Sequence, residues 1–148
     1  MSTLRRAACI AVVCLLAGPA SALADAKQDA LVAAVNYARA SHGLAQLSPS
    51  KPLMRSSKAL ARGLMRLNVF AHPGSIHAGG GFRSLGEALS LHRGKNPRYA
   101  ATVGAWLASP AHRGLVLNPG STHAGAGIAR GPFGGHSSTI WVLHVGAH

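Results

Sequence analysis

Acidic residues are almost absent from this chain. Its 148 residues include only three acids, Asp25, Asp29 and Glu87, against fifteen lysines and arginines, for a formal net charge of +12. Because both aspartates lie in one early segment, neither is well placed to complete a Ser-His-Asp triad. A pair of carboxylates for general acid/base catalysis is equally hard to assemble. The shortage of acids therefore argues against the ordinary hydrolase functions. It also raises the question of what role Glu87, the only glutamate, has in so basic a chain.

Cysteine is also scarce, and both residues, Cys9 and Cys14, lie near the start of the chain. This region has a positively charged beginning, an apolar run over residues 7–16 that is too short to span a bilayer, and an A-x-A motif. We predict a signal peptide over residues 1–24 and one exported domain over residues 25–148, secreted or periplasmic; a retained membrane anchor is the alternative. The exported domain then has no disulfide and must build its own core.

Loss of the first 24 residues would remove two arginines. The remaining chain has thirteen lysines and arginines against three acids, a formal charge of +10. Such an excess favours attraction to nucleic acid, anionic lipid or an envelope polymer. The seven aromatic residues are scattered rather than interleaved with basic residues, which argues against sequence-specific nucleic-acid recognition. No later segment is apolar enough to predict a transmembrane helix.

The hydrophobic pattern predicts helices first and strands late. Helical spacing of apolar residues occurs over residues 26–42, 51–67 and 97–108. A glycine-rich loop is predicted over residues 68–82. Short strands are predicted over residues 124–130 and 138–145, the second being richer in β-branched and aromatic residues. This order predicts an α+β layer fold rather than alternating βαβ units.

The second predicted helix has one apolar and one basic face. Its apolar face carries Leu53, Leu60, Leu64 and Leu67. The opposite face carries Lys51, Arg55, Lys58, Arg62 and Arg66. A basic stripe of this kind is either a solvated surface or a binding surface for a polyanion. No acid on the same helix neutralises it, so both alternatives stay open.

Three residues could carry chemistry: His72, Glu87 and His112. Separations of 15 and 25 residues match no local metal-binding motif. Taken singly, each histidine could be structural, and Glu87 could be a salt-bridge partner.

Together with their surroundings, these residues resemble a known family. The stretches "FAHPG", "SLGEAL", "AWLASPAHRGLVLNPG", "GAGIA" and "WVLHVG" are similar in order and content to the secreted CAP superfamily, the SCP-like domain of cysteine-rich secretory, antigen 5 and pathogenesis-related proteins. The short bacterial branch is the most similar. The resemblance covers nearly all of residues 29–146, and its most specific part is the W-L-x-S-P-x-H-R segment.

The resemblance implies a three-layer αβα sandwich with a small central antiparallel sheet, and a surface cleft lined by histidines and acids. His72 matches the first cleft histidine of the family, His112 the second, and Glu87 the glutamate of its G-E-N motif. In members where metal binding is known, the two histidines hold a divalent ion, often zinc. Neutral imidazoles suit zinc, and a nearby carboxylate can orient a histidine or a bound water.

Three departures from the family pattern remove acidic or polar groups from the cleft. Ser109 stands where animal and plant members have a second glutamate, and Ala88 replaces the asparagine of G-E-N. Thr122 and His123 stand where bacterial relatives often have a glutamate. His123 is therefore a further candidate for the cleft, although a structural or surface role is its default, as it is for His77 and His144.

The expected function is a secreted binding module, envelope-associated or holding a small or lipidic ligand, with zinc or another divalent cation at His72 and His112. Two alternatives remain. One is a hydrolase in which Glu87 or a histidine-bound metal activates water, which the lack of a second carboxylate disfavours. The other is attachment to an anionic envelope polymer or to extracellular DNA through the basic helix face.

Overall fold

The computed structural model describes the chain from Pro19 to His148, with side chains from Asp25 onward. The predicted signal peptide lies mostly outside these residues and stays a prediction. The elements in chain order are α1 (Pro19–Ser41), β1 (Ser48–Pro49), α2 (Lys51–Leu67), β2 (Ser84–Arg93), α3 (Tyr99–Ala108), α4 (Pro110–Val116), β3 (His123–Phe133) and β4 (His136–Ala147). None of the helices described is both long enough and apolar enough to cross a membrane.

The four strands form one sheet in the order β1-β3-β4-β2. Strands β2, β4 and β3 pair antiparallel, whereas β1 pairs parallel with β3 through only two residues. The predicted α+β class is confirmed, and the sheet is mixed rather than purely antiparallel. The parallel pair arises because Ser48 and Pro49 run beside the start of β3 on the way into α2, where Ser48 N–H donates to the Thr122 carbonyl.

Helices cover both faces of the sheet, and this gives the three layers. Helix α2 packs on one face, here called the α2 face, against an apolar cluster that includes Leu89, Ile140 and Val142. Helices α1, α3 and α4 cover the other, the α1/α3 face, whose cluster includes both tryptophans, Trp106 and Trp141. Successive strand residues alternate between the two faces, so the register assigns each side chain to one of them.

Helix α2 has the predicted bounds and lies very close to β3. The Ser50 hydroxyl caps its first turn by accepting from Leu53 N–H at 3.5 Å. The Ser57 hydroxyl donates to the Gly125 carbonyl of β3 at 2.9 Å. A Cβ atom at Gly125 or Gly127 would collide with the α2 backbone, so both positions require glycine. This close approach fixes the height of α2 above the sheet.

The sequence pattern does not predict strand β2, although it predicts the loop before this strand. The ten residues of β2 pair with β4 from Ser84 opposite Ala147 to Arg93 opposite Ser138. The sequence "SLGEALSLHR" has no β-branched residue, and its strand conformation comes from pairing with a distant segment. Because β2 lies at the edge of the sheet, Glu87 sits on an edge strand.

One buried cation stabilises the loops around α1. Arg39 is 0% exposed, and its guanidinium donates to the carbonyls of Ala45, Val116 and Asn118 at 2.8–2.9 Å. The positive charge of the guanidinium is thus stabilised by carbonyl oxygens instead of by an acidic side chain. A chain with very few acids can bury an arginine in this way.

Candidate functional site

Glu87 lies opposite His144 in the register of β2 and β4. Both side chains point to the α2 face. Their strand neighbours Ala88 and Val145 belong to the cluster on the α1/α3 face, and successive strand residues point to opposite faces. The Glu87 side chain is only 5% exposed, and that of His144 only 3%. The sole glutamate is therefore a buried carboxylate, not a surface charge.

Glu87 joins two histidines. Its Oε1 lies 2.7 Å from His72 Nδ1, and its Oε2 lies 2.9 Å from His144 Nε2. His144 Nδ1 in turn lies 2.8 Å from the Ser56 hydroxyl on α2. A carboxylate only accepts hydrogen bonds, so with Glu87 ionised the two facing imidazole nitrogens are the donors. His72 then carries its proton on Nδ1 and keeps a lone pair on Nε2.

His112 completes the group from α4. Its ring centre lies 6.0 Å from that of His72, with the rings inclined by 44°. Burial lowers the pKa of His112 below its usual value, and the neighbouring His72 lowers it further. Because a lower pKa keeps the imidazole neutral near pH 7, His112 is in the form that binds metals.

The spacing of the two rings fits a shared metal ion. Two imidazoles bound to one tetrahedral zinc ion by bonds of about 2.1 Å have ring centres about 5.3 Å apart, so a small movement of either ring brings the observed 6.0 Å to this spacing. The His72 side chain is 55% exposed, so an ion can reach it from solvent. Among the residues described, no group of three or more histidine, cysteine or acidic side chains has a metal-binding arrangement. The residues that could hold an ion here are thus His72 and His112, with the Glu87 carboxylate beside His72.

Ser109 and His123, the two other predicted cleft residues, lie in surroundings that differ from each other. Ser109 directly precedes α4, three residues before His112, and its hydroxyl makes no capping hydrogen bond. His123 packs against Phe82 and His148, with ring centres 5.9 and 5.0 Å away, and contacts the Thr122 hydroxyl. No hydrogen bond joins His123 to Glu87 in the part of the chain that the structure describes. His123 thus packs beside other rings, and its place in the cleft stays a prediction.

The basic face of α2 is partly neutralised by another helix. Lys58 forms an ion pair with Asp25 of α1. Lys51 and Arg55 line a groove with the same aspartate and with Asp29. The remaining two cations of the stripe, Arg62 and Arg66, are exposed. Acids on α1 therefore reach one end of the stripe, which the pattern along α2 alone does not predict.

Sequence patterns do not assign His144 and Ser56 to the site. His144 is buried under α2, where its Nε2 contacts Glu87 Oε2, the carboxylate oxygen that does not contact His72. Its position follows only from the pairing of β2 with β4, because 57 residues separate it from Glu87. Alternation along β4 places His144 on the same face as Ile140 and Val142, which is the one signal that could have indicated it.

A second concave feature lies between α1 and α3. This groove has a volume of about 560 Å³. Its lining is mostly apolar and includes Tyr37, Tyr99, Val103 and Leu107. Tyr37 is 79% exposed. The groove lies on the α1/α3 side, away from the Glu87 side chain.

Comparisons with known proteins agree with this architecture. The family model described as "Cysteine-rich secretory protein family" (CAP) matches residues 32–145. The uncharacterized protein YkwD of Bacillus subtilis is 28% identical over 126 residues, which are 79% of this chain and 46% of YkwD. This chain therefore spans about half the length of that relative.

Solved structures show the same fold. An extracellular protein of Bacillus anthracis containing an SCP domain aligns with a TM-score of 0.70 at 17% identity, over 88% of this chain and 44% of that one. An outer surface protein of Borrelia burgdorferi aligns with a TM-score of 0.64 at 20% identity, over 81% of this chain and 91% of that one. With the family model matching well over half of its length, this chain belongs to the cysteine-rich secretory protein (CAP) family.

Proposed function

We propose that this protein is an exported binding module whose cleft holds a divalent metal ion, zinc in the first instance, between His72 and His112. One observation carries the proposal: the buried carboxylate of Glu87 lies 2.7 Å from His72 Nδ1. This contact fixes the proton on Nδ1, leaves Nε2 as the ligand atom and makes the imidazole a stronger donor to a metal. Export is supported by relatives described as extracellular or as outer surface proteins.

Binding is favoured over hydrolysis. A zinc ion held by only two histidines has open positions for water or for an anionic group of a ligand, and it would supply Lewis-acid polarisation there. Both oxygens of Glu87 are occupied by imidazoles, so the carboxylate orients its neighbours and is poorly available as a general base. The other two acidic residues, Asp25 and Asp29, both lie on α1.

A zinc titration of the purified protein tests the metal site. We expect one zinc ion per chain, and we expect the His72→Ala, His112→Ala double variant to bind at least about tenfold more weakly, because both ligands are lost. His136→Ala is the matched control, since His136 is an exposed histidine in β4 far from Glu87 in the register. Equal affinity in the double variant and the wild type would remove the cleft from consideration.

The exposed part of the basic face supports a second activity, attachment to an anionic envelope polymer. Lys51, Arg55, Arg62 and Arg66 are exposed on α2, whereas Lys58 is paired with Asp25. Each cation that contacts a polyanion releases condensed counter-ions, so binding should weaken steeply as salt rises. These four exposed cations, rather than the whole stripe, are the expected contacts.

Retention on a polyanion column at several salt concentrations measures this contribution. Replacing Arg55, Arg62 and Arg66 by glutamine should reduce the slope of log affinity against log salt by about two to three units. The matched control replaces Arg93, Lys95 and Arg98 by glutamine, since they are exposed in another part of the molecule and carry the same charge. The attachment proposal fails if both triple variants lose the same retention.

A further inference from the structure

The guanidinium of Arg130 has two buried N–H groups without a partner among the described residues. In the part of the chain that the structure describes, its Nε and Nη2 atoms are buried and have no hydrogen-bond partner. These two N–H groups lie side by side on one edge of the guanidinium, the edge that binds carboxylate and phosphate in a bidentate manner. The residue as a whole is half-buried, and its exposed surface lies on atoms other than these two.

A second donor without a partner lies on the same face. Trp141 is 0% exposed, and no acceptor for its Nε1–H occurs among the described residues. The register pairs Ile128 with Trp141 and Arg130 with Thr139, so Arg130 and Trp141 are diagonal neighbours on the α1/α3 face. Side chains of this length reach one another across such a diagonal.

Other buried donors in the protein do have acceptors. Trp106 donates its indole N–H to the Leu89 carbonyl at 3.0 Å. Arg39 donates to three carbonyl oxygens. A buried polar group without a partner costs free energy, and a buried charge costs more. The arrangement at Arg130 and Trp141 is therefore an exception that needs a physical explanation.

The acids of the described chain do not supply a counter-ion. Asp25 pairs with Lys58, and Glu87 is held between His72 and His144. Asp29 is exposed on α1, and among the described residues no ion pair within 4.0 Å joins it to Arg130. The Thr139 hydroxyl, opposite Arg130 in the register, donates to the Gly94 carbonyl. None of these acids is therefore paired with Arg130.

We propose that Arg130 and Trp141 form a binding site for an oxyanion, a carboxylate or phosphate group, which accepts from the guanidinium edge and from the indole N–H. The site is distinct from the metal cleft. It lies on the opposite face of the sheet, and the register separates Arg130 from the level of Glu87 by five residues, about 17 Å along the strands. The ligand is either a free anion or the acidic group of a larger molecule.

The two indole N–H resonances test the proposal in the unmodified protein. Potassium phosphate and sodium acetate are titrated separately at constant ionic strength, with chloride as the reference. We expect the Trp141 resonance to shift and saturate with at least one oxyanion, and the Trp106 resonance, whose acceptor is Leu89, to stay in place. Saturation with phosphate alone identifies a phosphate site, and saturation with acetate alone a carboxylate site. No shift with either anion would overturn the proposal.

Thermal unfolding of matched variants gives an independent check. At saturating oxyanion, the melting temperature of the wild type should rise by about 2 to 5 °C. Arg93→Met, which removes an exposed arginine from the end of β2, should keep this rise, and Arg130→Met should lose it. A rise of the same size in all three proteins would contradict the site. The absence of a rise in all three proteins would also contradict the site. This result is expected if Arg130 donates instead to Gln28 Oε1, which is buried and also has no partner among the described residues.

Discussion

Replacement of Glu87 by glutamine is expected to weaken zinc binding about 10- to 100-fold, the range found when a residue that orients a metal ligand is lost. The carboxylate accepts from both His72 and His144. An amide of the same shape accepts on one side and donates on the other. One of the two histidines must therefore give up the proton that faces residue 87. If that histidine is His72, its proton moves to Nε2, the atom proposed to bind the metal.

Asp29→Asn is the matched control for this change. It removes the same negative charge from an exposed position on α1, so it tests whether zinc binding depends only on net charge. We expect the affinity of Asp29→Asn to equal that of the wild type. If Glu87→Gln bound zinc as tightly as Asp29→Asn, Glu87 would not orient the metal ligand. The affinities come from calorimetric titration of the three proteins under identical buffer conditions.

Replacement of Gly127 by alanine is expected to lower the free energy of unfolding by about 3 kcal/mol and the melting temperature by about 10 °C. The added Cβ atom would collide with the Ser57 carbonyl and lie 2.6 Å from Lys58 N, both in the backbone of α2. A helix backbone cannot rotate away as a flexible side chain can. Helix α2 must therefore move off β3, which opens the cluster around Ile140 and Val142.

Gly63→Ala provides the contrast for Gly127→Ala. Gly63 lies within α2, and a Cβ atom there would have no neighbour within 4 Å. Alanine is favoured over glycine inside a helix by roughly 0.5 to 1 kcal/mol, so Gly63→Ala should stabilise the protein. Urea unfolding measures both changes. Effects of the same sign and size would contradict the close approach of α2 to β3.

The elements that the sequence predicts well are those whose local pattern is strong. The alternation of leucines and basic residues predicts α2 to the residue, and the β-branched and aromatic content of residues 138–145 indicates β4. Strand β2 has no such pattern. Its conformation depends on pairing with β4, more than forty residues later, and the short parallel strand β1 depends on β3 in the same way. Single-sequence patterns do not contain these long-range contacts.

For the candidate site, the resemblance to the CAP family indicates His72, Glu87 and His112, and the geometry brings all three together. His144 has no assigned place in the sequence pattern, because its contact with Glu87 follows from strand register. Arg130 gives no signal in the sequence either. With only three acids in the chain, the three-dimensional positions of these acids decide which cations form ion pairs. Composition does not specify those positions.

Nitrogen-15 NMR of the imidazole rings, before and after one equivalent of zinc, tests the metal cleft most directly. We expect His72 to carry its proton on Nδ1 and to bind zinc through Nε2, and the His112 signals to move with those of His72. His144 should keep its proton on Nε2, facing Glu87. The signals of the exposed His136 should not change. If the His72 and His112 signals moved no more than those of His136, the metal cleft would be contradicted.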